Sequence, residues 1–249
     1  MALRNKDKPH PDSMTLGEHL GELRKRLVIC VIAFAVTGTV CATIGYAPIL
    51  HFLVKPLCTT DHAAGRSCKL YVTSPLDGLS LRVKITAFGG LVAASPVILY
   101  QLWRFITPGL QARERKYAIP FVSSAFVLFL LGAATAYFTL PHALGFLREI
   151  GGSDLQEIYD PIPYLGLILL MMSLFGLTFQ FPVVLVSLEL AGVVTPARLL
   201  RAWRWAVILI VIVAGVFTPS SDPFSMLALA LPLVFFFFVS IGIGKLFGR

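Results

Sequence analysis

Apolar residues in this 249-residue chain fall in long uninterrupted blocks, separated by shorter stretches dense in charge, proline and glycine. Blocks of about 18 or more apolar residues mark helices that cross a bilayer, because a helix satisfies its backbone N–H and C=O groups internally. The pattern predicts six spans, at about 27–47, 79–103, 117–140, 162–190, 203–217 and 223–244. The fifth is short: its apolar part, between Arg204 and Thr218, has 13 residues, or about 20 Å of helix against a bilayer core about 30 Å thick. Pro96, Pro182 and Pro232 fall inside the second, fourth and sixth spans. Each removes a backbone donor and predicts a kink, tolerable where a neighbouring helix re-satisfies the freed carbonyl. The expected fold is all-α: a polytopic membrane protein of six kinked helices, one integral membrane domain over 1–249, forming a shaped, concave bundle.

Directly before the first block, "TLGEHLGELRKRL" places Leu16, Leu20, Leu23 and Leu27 at helical spacing. This predicts an amphipathic helix over 15–26 that runs into the first span. Thr15 and Glu18 have capping-box spacing, and Glu22 precedes Arg26 by one helical turn. Segments 48–78 and 141–161 read as long loops on the side opposite the amino terminus. Cys58 and Cys68 lie together in the first of these, and a disulfide between them is expected if that side is oxidising. Cys30 and Cys41 fall in the first span and read as small packing residues.

Composition removes the soluble alternative, since 57% of residues are hydrophobic and only 14% charged, against about 25% charged in globular domains. The net charge of +8 is then a topology signal before it is a binding signal. The amino-terminal segment, the 104–116 loop, the 191–204 loop and the carboxyl tail hold 6, 4, 3 and 2 of the 21 Lys and Arg residues. The positive-inside rule therefore places both termini in the cytoplasm. A polar segment precedes the first apolar block, which reads as a retained anchor. Nothing suggests nucleic acid, and the scattered His residues and absent phosphate loop point to no metal and no cofactor.

A few polar residues stand out. "FITPGLQARERK" (105–116) holds one acid, Glu114, among Arg113, Arg115 and Lys116; charge alone makes it a cytoplasmic turn. Trp103 and Phe105 suit the interfacial aromatic belt. Gln180, in "LTFQFPVV", is an intramembrane amide that needs a partner. Asp222, before Pro223 at the outer end of the sixth span, has the form of an N-cap with Pro at N1. Glu189, near the cytoplasmic end of span four, reads as solvated.

Together these segments resemble the TatC family, the multispanning core of the twin-arginine protein translocase. The resemblance lies in "HLGELRKRL" (19–27), "SPVILYQLWRFITPGLQARERK" (95–116), "FGLTFQFPVVLV" (175–186) and "FTPSSDPFSMLALALP" (217–232), in order and in register over about 15–244. It implies a signal-peptide receptor in the cytoplasmic membrane. With the single-span partners TatA and TatB, and with self-association, it would export folded precursors bearing Arg-Arg signal peptides, using the proton-motive force. The family's recognition residues match Glu22 and Glu114, with Arg24, Phe105 and Pro96 on motif positions around them. The chemistry fits: a guanidinium is a planar fork that a carboxylate can accept bidentately, which an ammonium cannot reproduce. The sequence departs from the family where Gln180 is neutral, where Phe238 stands in place of an acid, and where the turn before Asp222 is one residue longer.

Two other classes fit less well. A small-solute transporter should show an inverted repeat or ionisable residues inside its spans, and the sequence has no inverted repeat and almost no ionisable residue there. An enzyme would need a nucleophile, metal set or nucleotide loop beside Glu22 and Glu114, so no catalytic activity is expected.

Overall fold

The computed structural model describes residues 16–63, 71–72, 74–106, 118–151, 160–190, 192–219 and 222–246. Helix α1 (Leu16–Val40) passes through a π-helical turn (Cys41–Gly45) into α2 (Tyr46–Ala63). Then follow α3 (Asp77–Ile106), α4 (Ala118–Gly151), α5 (Pro161–Thr178), α6 (Phe181–Leu190), α7 (Pro196–Arg201), α8 (Trp203–Phe217) and α9 (Pro223–Leu246). Five stretches are long and apolar enough to cross a membrane, and α8 is a sixth, shorter apolar helix. The two segments read as long loops are largely helical: α2 extends the first span to Ala63, and α4 runs ten residues past Pro141 to Gly151. Their polar residues hid a helix that outlasts its apolar stretch. Pro56 and Pro141 lie inside these helices without ending them, and at Pro56 the surroundings supply what the proline removes.

Pro56 deprives the Phe52 carbonyl of its helical donor. Tyr137 of α4 donates to that oxygen at 3.0 Å, and Tyr164 of α5 donates to the next carbonyl, Leu53, at 2.9 Å. Pro96 similarly frees Val92, whose carbonyl accepts from the Ser95 hydroxyl at 2.6 Å. At the π-turn, which leaves carbonyls misaligned, Arg82 of α3 donates to Ala42 at 3.1 Å. In the fourth span the helix breaks outright at Phe179–Gln180, two residues before Pro182. Pro232 sits inside α9 without a break.

Residue pairs fix the packing. Thr37 donates to the Gly90 carbonyl at 2.8 Å, and a Cβ on Gly90 would lie 2.7 Å from the Gly38 Cα, so α1 and α3 cross antiparallel at backbone contact. A Cβ on Gly132 would meet the Phe175 carbonyl at 2.6 Å, and one on Gly176 the Phe129 ring at 2.8 Å, which seats α4 against α5 in the same way. Phe175, Phe237, Leu165, Ile168, Leu229 and Leu233 form the centre of the core. The first span stands at the edge, with Val31, Ile32 and Val36 exposed, as lipid-facing residues should be.

Helix ends at the side opposite the amino terminus share one device. Asp160 accepts from Ile162 N at 2.9 Å and Asp222 from Ser225 N at 2.7 Å, each with Pro at the next position, while Asp77 accepts from Ser74 N at 2.7 Å. At the other side Gly192, with φ 72°, closes α6 by donating to the Glu189 carbonyl at 3.0 Å. The Glu189 side chain corrects the sequence reading: it is not solvated but 1% exposed. The turn at Gly192 folds Pro196 back onto it, and α9 covers it with Gly244.

Candidate functional site

Where α1 and α3 meet at the end holding the amino terminus, three residues join the two helices. Glu22 and Arg26 lie one turn apart on the same face of α1, and Arg26 Nη2 pairs with Glu22 Oε1. The antiparallel crossing brings the last turns of α3 alongside, and Arg26 Nη1 donates to the Gln101 carbonyl at 3.3 Å. A cation near a helix carboxyl terminus meets the negative end of its dipole, which favours this placement. The arrangement is withdrawn from water: Arg26 is 8% exposed, and Glu22 Oε2 is buried. A pair that the sequence shows only as one turn apart on α1 is a partly buried junction between helices.

The other positions fall around or away from this junction. Phe105, half-buried, is one turn beyond Gln101 on α3, and Pro96, also half-buried, is more than a turn before it. Trp103 between them is buried, its ring 4.0 Å from that of Phe121, so it locks the end of α3 to the start of α4. Arg24 is exposed on α1 beside the junction in sequence. Glu114 lies outside the described residues, in the segment between Ile106 and Ala118. Thr15 and the side chain of Glu18 lie outside them as well.

Gln180 sits at the break in the fourth span and donates to the Ala125 carbonyl of α4 at 2.9 Å, a bond between helices. Asp222, 1% exposed, caps α9 at the far end of the molecule, and neither residue approaches Glu22. Cys58 is disulfide-bonded, whereas Cys30 and Cys41 are free; Cys68 lies outside the described residues. Among the described residues no group of three or more His, Cys, Asp or Glu could hold a metal.

Two features escaped the sequence. The Gln101 carbonyl could not be found because a backbone acceptor carries no residue signature. Glu189 was visible as a charge but not as a buried one, since only the α7 turn and Gly244 reveal what covers it.

The geometry agrees with relationships across the whole chain. The family model for TatC, Sec-independent protein translocase protein, matches residues 18–232. The Sec-independent protein translocase protein TatC of Frankia casuarinae is 44% identical over 246 residues, covering 95% of this chain and 67% of that protein. That of Aquifex aeolicus is 36% identical over 239 residues, covering 95% and 97%. A crystal structure of the twin-arginine translocase receptor TatC superimposes with a TM-score of 0.74 at 33% identity, over 93% of this chain and 100% of that one. A second, crystallised in the detergent DDM, gives 0.75 over 91% and 99%. The α1–α3 junction thus lies in a membrane protein that belongs to the TatC family of Sec-independent protein translocase proteins.

Proposed function

We propose that the chain is the signal-peptide receptor and core of a twin-arginine translocase, with Glu22 and Glu114 as two separately mounted carboxylates for an Arg-Arg pair. One observation carries the reading: the Glu22 carboxylate, at the rim of α1 and α3, is already engaged by a guanidinium, that of Arg26. The place is therefore of a size and charge to accept arginine. Two successive arginines of an extended peptide point to opposite sides, so their forks call for two carboxylates on different elements. Arg24, Phe105 and Pro96 would shape the surface around them. The apolar part of the signal would add affinity against the helices.

The basic residues of the amino-terminal segment, the 104–116 and 191–204 loops and the tail favour a cytoplasmic site in the plasma membrane, with both termini inside. Folded precursors are then the cargo, TatA and TatB the single-span partners, further copies of the chain its neighbours in a receptor complex, and the proton-motive force the energy source. The chain forms one integral membrane domain and performs no catalytic step. Gln180 and Asp222 serve the scaffold, as helix bridge and cap.

Binding of a fluorescent Arg-Arg signal peptide to the protein in lipid nanodiscs tests this. Charge-assisted contacts are worth about 1.5–3 kcal/mol each, so Glu22→Ala and Glu114→Ala should each weaken binding by about tenfold or more, and a Lys-Lys peptide should bind worse than Arg-Arg. Intact binding by both variants, with Lys-Lys equal to Arg-Arg, would sink the clamp.

A further inference from the structure

Glu22 is not waiting empty: Arg26 Nη2 holds its Oε1, its Oε2 is buried, and the same guanidinium reaches the Gln101 carbonyl at 3.3 Å. Any outside cation that is to use this carboxylate must share it with Arg26 or displace it. Resting on the receptor reading above, we propose that Arg26 is a resident competitor for Glu22, an autoinhibitory contact that any incoming guanidinium or ammonium must displace and that sets the affinity of the site.

When an incoming guanidinium replaces Arg26, one planar charge-assisted fork is lost and an equivalent one forms, so the exchange is nearly balanced and the rest of the peptide tips it. When an ammonium does so, the fork is lost and only a point-like charge pair takes its place. The cost of displacing Arg26 is common to both cations, so it weakens both and leaves their ratio as the carboxylate itself sets it. The resident arginine thus sets a threshold that only a peptide with enough further contacts passes. Its burial strengthens the effect, because a displaced Arg26 stays tethered beside the site by the Gln101 carbonyl and the α1 backbone, at a high effective concentration. Arg26 need not touch the peptide; it acts through the carboxylate that the peptide needs.

The test measures Kd for Arg-Arg and Lys-Lys signal peptides with the full-length protein in nanodiscs, as wild type, Arg26→Gln, Arg26→Lys and Glu22→Gln. Arg26→Gln should tighten Arg-Arg and Lys-Lys binding alike, each by about tenfold. Arg26→Lys keeps a cation at the site and should give a smaller gain for both, which preserves the test if Arg26→Gln does not fold. Unchanged or weakened binding of both peptides in both variants overturns the competition and leaves Arg26 a structural tie. If Glu22→Gln leaves Arg-Arg binding intact, the receptor reading of Glu22 fails instead, whatever Arg26 does.

Discussion

Glu189 places a carboxylate where no described residue bonds either of its oxygens, packed between Gly244 of α9 and Pro196 of α7. Arg198, Arg201 and Lys245, the charged residues of those two helices, are all exposed. An isolated buried charge is among the costliest groups a protein can hold. Glu189→Gln, which keeps the shape and removes the charge, should therefore leave thermal stability in detergent unchanged or raise it. A Cβ at Gly244 would overlap the Glu189 carboxylate and come within 2.9 Å of Pro196 Cγ. Gly244→Ala should then cost about 1–3 kcal/mol, and clearly less when Glu189 is also truncated to Ala, because the two residues share one space. Additive losses in that cycle would show that the overlap is not what the glycine avoids.

Among the helices, the prolines make the sharpest prediction. The Tyr137 hydroxyl replaces a donor that Pro56 removes, so Tyr137→Phe should cost about 0.6–1.7 kcal/mol, the range for hydrogen bonds between membrane helices. In a Pro56→Ala background the carbonyl regains its own helical donor, and the same change should cost less. Equal costs in both backgrounds would separate the tyrosine from the proline. The same contrast explains what could be read beforehand. Helix positions followed from apolar block length, the fourth-span break from Pro182, and the cap of α9 from the Asp222–Pro223 pair, since each is a local effect of residue type. The extension of α2 to Ala63 and of α4 to Gly151, the π-turn, and the close crossings at Gly38–Gly90 and Gly132–Phe175 depend on partners distant in sequence. Glu22 and Arg26 were legible as a pair, but their burial was not, because it comes from α3.

For the whole molecule, five helices long and apolar enough to cross a membrane, with the shorter α8 as a sixth crossing, would put the start of α1, the end of α3, the α7 turn and the end of α9 on one side, the side whose sequence segments are rich in Lys and Arg. As a fifth crossing, α8 with its 15 residues would span about 22 Å, so the bilayer would thin there or Arg204, in its first turn, would snorkel. Single cysteines placed at Leu20 and Leu246 should react with a membrane-impermeant thiol reagent only when the cytoplasmic face is open, and one at Leu76 only from outside. The reverse pattern would invert the topology and remove the site from its substrates. As a receptor, the chain would take the arginine pair of a signal peptide at the α1–α3 edge. Site-specific photocrosslinking tests it most directly, with the reactive residue placed beside the Arg-Arg pair of a precursor and the adducts mapped on this chain. Adducts should cluster on the α1–α3 edge near Glu22 and Phe105 and on the segment holding Glu114, and be lost when the pair is Lys-Lys. Adducts centred on the Asp222 end, or undiminished with Lys-Lys, would contradict it.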